Sequence, residues 1–392
     1  MVSANNDADQ KQGHCEERRD EAISRRSEFK ALILTPESFF SPDYPTARER
    51  FRAAALRAGA ALHTIGLTAK GPNDEALAID MAWLGAAQPR NVFLHTTGLH
   101  GVEAYTGSAV QLALLDAPPV PGPHDAAIFV HVLNPYGMAW LRRANENNVD
   151  LNRNFQVHNA QWSGAPALYR VLDWLLNPKS APSRDAFTVR AAAVSLRYGF
   201  QRVKQAIAQG QYEYEQGLFF GGRELEAGPR QFCAWLQSHL TTAAYVFALD
   251  VHTGLGRRGV DTPLLEPGVA ATPPAELGAA LGRELIDPEQ PSVAYTVRGN
   301  LGGALPHLLP HAQVDFVLQE IGTCPPLTVL HALREENRWH FYGDGSLTHP
   351  VKLRFREALC PANVEWRGKA VTRGVTLARA AARWTFSGRN LA

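Results

Sequence analysis

Asn91–Thr96 (NVFLHT), Thr97–Glu103 (TGLHGVE) and Ser108–Asp116 (SAVQLALLD) follow one another closely. They read as a buried strand, a polar glycine-bearing turn and a helix. A second strand-like run, Ala127–Leu133 (AIFVHVL), comes next, so the stretch reads as a βαβ unit. Tyr245–Asp250 (YVFALD) and Phe316–Glu320 (FVLQE) are further short apolar runs. Continuous apolar runs of this length suit strands buried on both faces of a parallel sheet. Ser41–Ala61 reads as a helix opening near Pro45, where a missing N–H costs nothing. Pro166–Gln209 is helix-rich and punctuated by Pro and Gly. The fold expected is a three-layer α/β/α sandwich with a mixed, largely parallel sheet.

Residues 1–29 are polar and charge-dense, too poor in apolar side chains to offset their ordering entropy, and read as a disordered leader. Residues 30–392 are expected to form one domain with a helical insertion at about 156–230. Across 392 residues, 39 basic and 38 acidic side chains leave a net charge of +1, so no global field favours nucleic acid or an anionic membrane. No run approaches the roughly 18 apolar residues of a membrane span, and cytoplasmic residence is the expectation. The four cysteines, at 15, 233, 324 and 360, show no disulfide or zinc-thiolate spacing. Cys233 and Cys324 read as small buried residues. Oligomeric state is not legible.

Fourteen histidines leave the question of which serve chemistry. His100 and Glu103 lie three apart on the turn after the first strand, able to face one cation from the same side. Gly98 and Gly101 flank the histidine where open α/β sheets build their sites. The other three strands also run into polar, turn-rich segments: Asn134-Pro135-Tyr136-Gly137, Asp250–Gly254 and Glu320–Thr323. His252 is placed to complete a His/Glu/His set with an open position for water. Glu320 is then either the base for that water or a solvated strand-end charge. Trp140–Phe155 (WLRRANENNVDLNRNF) carries three arginines and five asparagines. It suits carboxylate recognition, and equally a charged surface loop. His95, His131 and His307 sit in apolar or helical contexts and read as structural. Gly210–Gly222, rich in Tyr and Phe, reads as core or as a pocket wall.

In order, His-x-x-Glu, Asn-Pro-x-Gly, Asp-Leu-Asn-Arg-Asn-Phe, Asp-x-His and a late glutamate resemble the M14 zinc carboxypeptidase superfamily. The resemblance is to its bacterial DUF2817 branch, which is also similar to succinylglutamate desuccinylase and aspartoacylase. It spans about residues 35–350, and Asp-Leu-Asn-Arg-Asn-Phe is its most specific piece. The resemblance implies one zinc ion held by His100, Glu103 and His252, with Glu320 as general base and acid toward zinc-bound water. It implies Asn152 and Arg153 as the grip on a substrate carboxylate, and Arg143, or else Arg142, as the oxyanion stabiliser. Where digestive members carry a mobile tyrosine, this chain has Arg298, with Tyr295 three residues earlier. Either Tyr295 reaches the site, or Arg298 selects for acidic groups, or the loop is scaffold.

The activity implied is hydrolysis of an amide bond next to a free carboxylate, in a small peptide or, as the alternative, in an N-acyl amino acid. A non-catalytic binder of peptide ends is the reading from another class. Nucleic-acid and membrane partners are not expected.

Overall fold

The computed structural model describes residues 35–286 and 297–387. The 1–29 leader and Tyr295 lie outside the described residues. In chain order, α1 (Tyr44–Arg57) leads into β1 (Ala61–Lys70), β2 (Ala76–Gly85) and β3 (Asn91–Thr97). Then come α2 (Ala104–Asp116), β4 (Asp125–His131), α3 (Pro135–Ala139), α4 (Ala167–Leu176), α5 (Phe187–Tyr198), α6 (Phe200–Ala208) and α7 (Ala227–His239). The chain continues through β5 (Tyr245–Gly254), β6 (Asp261–Leu265), α8 (Pro274–Leu281), α9 (Leu301–Leu308) and β7 (Gln313–Gly322). It closes with α10 (Pro326–Tyr342), α11 (Pro350–Leu359) and α12 (Val364–Phe386).

The strands form one seven-stranded sheet ordered β1-β2-β4-β3-β5-β7-β6. The four central strands β4, β3, β5 and β7 run parallel; β2 and β6 flank them antiparallel, and β1 pairs antiparallel with β2 at the edge. Alternate residues of β3 enter different cores. Val92 and Leu94 pack with Phe232 and Leu236 of α7 and Leu305 of α9. Phe93 packs with Phe51 of α1, Val110 of α2 and Ala381 of α12 on the other face. Helices therefore cover both faces, giving the three-layer α/β/α sandwich, and the apolar run Asn91–Thr96 reflects that two-sided burial. Strand β1 escaped sequence reading because Ile65 is its one buried residue and it carries no clean period.

The structure corrects one detail of the strand ends. Asp250–Gly254 and Glu320–Gly322 are not turns: β5 and β7 stay paired as far as Gly254 opposite Gly322, with His252 opposite Glu320. Their polar residues are paired with one another inside the sheet rather than solvated, which sequence polarity cannot distinguish from a turn.

Two glycines set the geometry after β3. Gly98 has φ +75, the left-handed region that side chains rarely adopt. Gly101 lies so close to Gly137 that a Cβ there would sit 2.2 Å from the Gly137 Cα. That approach joins the His100 turn to the Asn134 turn. Asn134 Oδ1 accepts from Gly137 N at 2.8 Å, and its Nδ2 donates to the Arg143 carbonyl at 3.0 Å. Backbone bonds from Gly101 N to Arg143 O and from Val102 N to Arg142 O complete the junction. The three sequence motifs are thus one rigid unit at the carboxyl edge of the parallel strands.

Candidate metal centre

His100 leaves the strand β3, Glu103 ends the single 3-10 turn that opens α2, and His252 lies within β5. Their ligand atoms all lie within 4.8 Å of one another, and all three residues are buried. His100 Nδ1 is 3.0 Å from Glu103 Oε1 and 3.1 Å from His252 Nδ1, while His252 Nδ1 is 3.4 Å from Glu103 Oε2. Two imidazole nitrogens and a carboxylate thus converge on one point.

The opposite ring nitrogens point to carboxylates. His252 Nε2 is 2.6 Å from Asp250 Oδ2, and His100 Nε2 is 3.3 Å from Asp150 Oδ1. Asp250 is itself held by Thr96 Oγ1 at 2.7 Å. A proton on His252 Nε2, held by Asp250, leaves the His252 Nδ1 lone pair inward, the arrangement that orients histidine toward zinc; His100 Nε2 is shared between Asp150 and the Arg143 guanidinium. The donor set therefore fits a zinc ion on its own chemistry: two imidazoles and one carboxylate, with carboxylates behind the rings.

The electrostatics agree. Burial lowers the pKa of His252, but Asp250 and Glu103 more than reverse this and push it up to about 10, so the pocket favours positive charge. Burial works against ionising Glu103, yet the neighbouring His100 and His252 hold its carboxyl well below the usual range. Glu320 behaves oppositely: burial, with the Glu103 charge beside it, raises it to about 7. Leu255 N donates to Glu320 Oε1 at 2.8 Å and fixes the carboxylate. A carboxylate that titrates near neutrality is suited to taking and returning a proton.

Of the tandem arginines, the structure brings Arg143 to the site. Its Nε donates to Asp150 Oδ2 at 2.9 Å and its Nη1 to Glu103 Oε1 at 3.3 Å, with Nη2 2.6 Å from His100 Nε2. Arg142 turns the other way, into a buried cluster with Glu336, Asn148 and Asn337. Lys352 Nζ joins that cluster at 2.6 Å from Glu336 Oε1.

An apolar cavity of about 160 Å³ opens over the centre. His100, Glu103, Arg143 and Glu320 line one side of it, and side chains of α4, α5, α6 and α10 line the rest. From the aromatic Gly210–Gly222 segment only Phe219 reaches the wall, with the Arg143 guanidinium 5.2 Å from its ring centre. Tyr212 instead donates to the Arg153 carbonyl at 2.6 Å.

The expected carboxylate grip is not brought to this cavity. Arg153 is buried and donates to the Ala208 carbonyl through Nε at 2.9 Å and to the Asn152 carbonyl through Nη1 at 2.9 Å. Asn152 Oδ1 faces the Leu301 N–H at 3.4 Å. Neither side chain lines the cavity. Arg298 lies over the Tyr212 ring at 3.9 Å, donates to the Ser163 carbonyl, and lines a separate polar pocket. The structural histidines behave as read: His95 and His131 are buried and bonded to Gln111 and Ser108, and His307 stacks on His158. Cys233 is buried, whereas Cys324 is only half-buried.

Sequence reasoning missed Asp150, Asp250 and Lys204 as site residues. Both aspartates stood inside motifs already singled out, and the two-residue step from Asp250 to His252 puts both on one strand face. Lys204, also on the cavity wall, had no sequence signal beyond its helix.

Several solved structures share similarity with this chain. Bovine thrombin-activatable fibrinolysis inhibitor, solved with tick carboxypeptidase inhibitor, is 10% identical over 89% of this chain and 98% of its own, with a TM-score of 0.48. Carboxypeptidase A from Helicoverpa armigera is 14% identical over 94% of this chain and 81% of its own, with a TM-score of 0.43. Murein-tripeptide amidase MpaA from Escherichia coli O157 is 19% identical over 71% of this chain and 92% of its own, with a TM-score of 0.36. No curated protein matches. Residues 40–373 match the family model described as "Protein of unknown function (DUF2817)", and the chain belongs to that family.

Proposed function

We propose that this protein is a zinc-dependent hydrolase that cleaves an amide bond next to a free carboxylate. The observation that carries the reading is the convergence of His100, Glu103 and His252 beside Glu320, at the base of a cavity large enough for a substrate side group. A zinc ion held by these three residues would supply Lewis acidity toward water and toward the scissile carbonyl. Glu320 takes the proton from the attacking water and returns it to the leaving nitrogen, a role suited by its pKa near 7. Arg143, held by Asp150 and Glu103, presents its guanidinium to the oxygen that gains charge as the carbonyl is attacked. Asp250 keeps the His252 imidazole in the tautomer that faces the ion, and Asp150 holds Arg143 beside His100.

Within this class, a small N-acyl amino acid is the second reading beside a peptide. The small cavity, of about 160 Å³, favours it over a long peptide. The described residues belong, in this reading, to one domain whose helices α4–α6 line the cavity over the site. Among the described residues no helix is long and apolar enough to cross a membrane. Free Cys233, Cys324 and Cys360 suit a reducing compartment, and we assign the protein to the cytoplasm.

The test is zinc content together with hydrolysis of blocked dipeptides and N-acyl amino acids. Glu320→Gln is expected to retain zinc and lose turnover. Unchanged hydrolysis in that variant would overturn the assignment of the base. A purified protein that takes up no zinc would overturn the centre itself.

A further inference from the structure

The side of α5 turned away from the protein is apolar. Phe187 and Ala191 are buried beneath the helix, while Val189, Ala192, Ala193 and Leu196 are exposed on the opposite face. Their i, i+3, i+4, i+7 spacing is that of a helix face that meets an apolar neighbour. Yet Leu196 is 90% exposed and Val189 71%. Phe200, the first residue of α6 after Gly199, and Trp174 of α4 are exposed as well. Single exposed apolar residues are ordinary, but a contiguous ridge of them marks an interaction surface.

The charge beside this ridge is one-sided. Residues 167–208 carry seven basic and two acidic side chains, a local +5 that the whole-chain balance of +1 hides. Both acids are already engaged: Asp173 accepts from Asn177, and Asp185 pairs with Arg334 and Arg338. Lys179, Arg184, Arg190, Arg197 and Arg202 are exposed, and among the described residues none of the five has a carboxylate partner. Arg190 lies over the Trp174 ring, 5.8 Å from its centre, and Arg197 over the Tyr198 ring at 5.3 Å. Seven residues apart on α5, these two arginines share one flank of the apolar ridge.

A second copy would set these cations against one another, and a folded acidic protein would need carboxylates matched to five scattered positions. An anionic lipid surface needs neither, because its headgroups move to meet each cation and its acyl boundary accepts a convex apolar ridge. We propose that α5, with Trp174 and Phe200 beside it, docks this protein onto a membrane surface that carries anionic lipid. Val189, Ala193 and Leu196 enter the acyl boundary, Trp174 stands at headgroup level, and the arginine stems reach back to the lipid phosphates. The inner side of α5 lines the cavity over the metal centre through Ala191, Val194 and Ser195, and exposed Phe200 is on the cavity wall too. Docking therefore brings the membrane to within one helix of that cavity. The inference does not depend on the hydrolase reading.

Co-sedimentation of the full chain with vesicles tests this without requiring turnover. Vesicles of equimolar phosphatidylcholine and phosphatidylglycerol are expected to bind the protein more than about tenfold tighter than phosphatidylcholine alone. Added salt is expected to weaken that binding. Leu196→Gln should weaken it about tenfold, and Arg190→Gln and Arg197→Gln about fivefold each. Leu56→Gln, at an exposed position on α1, should leave it unchanged. All four side chains are exposed, so unfolding midpoints are expected to stay at the wild-type value. Absence of binding to the anionic vesicles would overturn the proposal, as would binding that Leu196→Gln leaves intact. A wild-type dimer that Leu196→Gln makes monomeric would overturn it in favour of a second copy. Binding of polyglutamate in preference to the vesicles would overturn it in favour of an acidic protein.

Discussion

Asp250 Oδ2 lies 2.6 Å from His252 Nε2, two residues back on the same strand face. The contact fixes which ring nitrogen is free to hold a metal. Loss of such a partner typically costs about 10- to 100-fold in metal affinity. Asp250→Asn is therefore expected to weaken zinc binding by that range, read by competition with a chromophoric chelator. Zinc affinity equal to wild type would remove Asp250 from this role.

The adjacent arginines are expected to separate cleanly. Arg143→Met removes the donor proposed for the developing oxyanion and should lower kcat by about 10²- to 10³-fold. Arg142→Met leaves buried Glu336 with Lys352 as its remaining cationic partner and should cost about 3 kcal/mol of stability. Steady-state kinetics and urea unfolding of both variants check the division. Equal stability losses in the two would contradict it.

Glu266 provides a pH signature away from the candidate metal centre. Burial raises its pKa to about 7, although Asn300 donates to its Oε1 at 2.7 Å. A carboxyl whose folded pKa lies above its unfolded value binds more protons when folded. Its contribution is thus fully present below about pH 4.5 and is lost as pH rises through about 7. Glu266→Gln should flatten the decline in stability across that window and be more stable than wild type at pH 8 by about 2 kcal/mol. Unfolding midpoints measured from pH 5 to pH 8 decide it, and parallel curves would refute the assignment.

Gly101→Ala is expected to fail for lack of space. The added Cβ would lie 2.1 Å from the Gly137 carbonyl carbon, and backbone on both sides must move. The loss should exceed about 2 kcal/mol, with zinc affinity falling alongside, because the same junction sets His100. Gly59, with φ +78 and open space around it, is the control for backbone strain without contact. A Gly101→Ala variant no less stable than Gly59→Ala would show that the approach is not critical.

The central strands, the helix α2 and the ordered polar motifs were legible because each depends on short-range pattern. Burial on both sheet faces makes Asn91–Thr96 apolar throughout, and the need for a tight strand-end turn leaves glycines around His100. The half-exposed edge strand β1 has no such imprint. Nor does a sequence distinguish polar residues that end a strand from polar residues that pair inside one, and so His252 and Glu320 were expected on turns.

By itself the sequence determined the strand–helix pattern and the order of the motifs, which follow from periodicity and residue chemistry. The resemblance of those ordered motifs to the M14 superfamily singled out His100, Glu103 and His252, the three residues that converge. The tertiary structure alone decided which arginine faces the site, that Asp150 and Asp250 stand behind the histidines, and that Ala208 covers Arg153 while Lys204 enters the cavity. Each of these depends on where a helix distant in sequence comes to rest. A side chain's direction follows from packing, which local pattern does not encode.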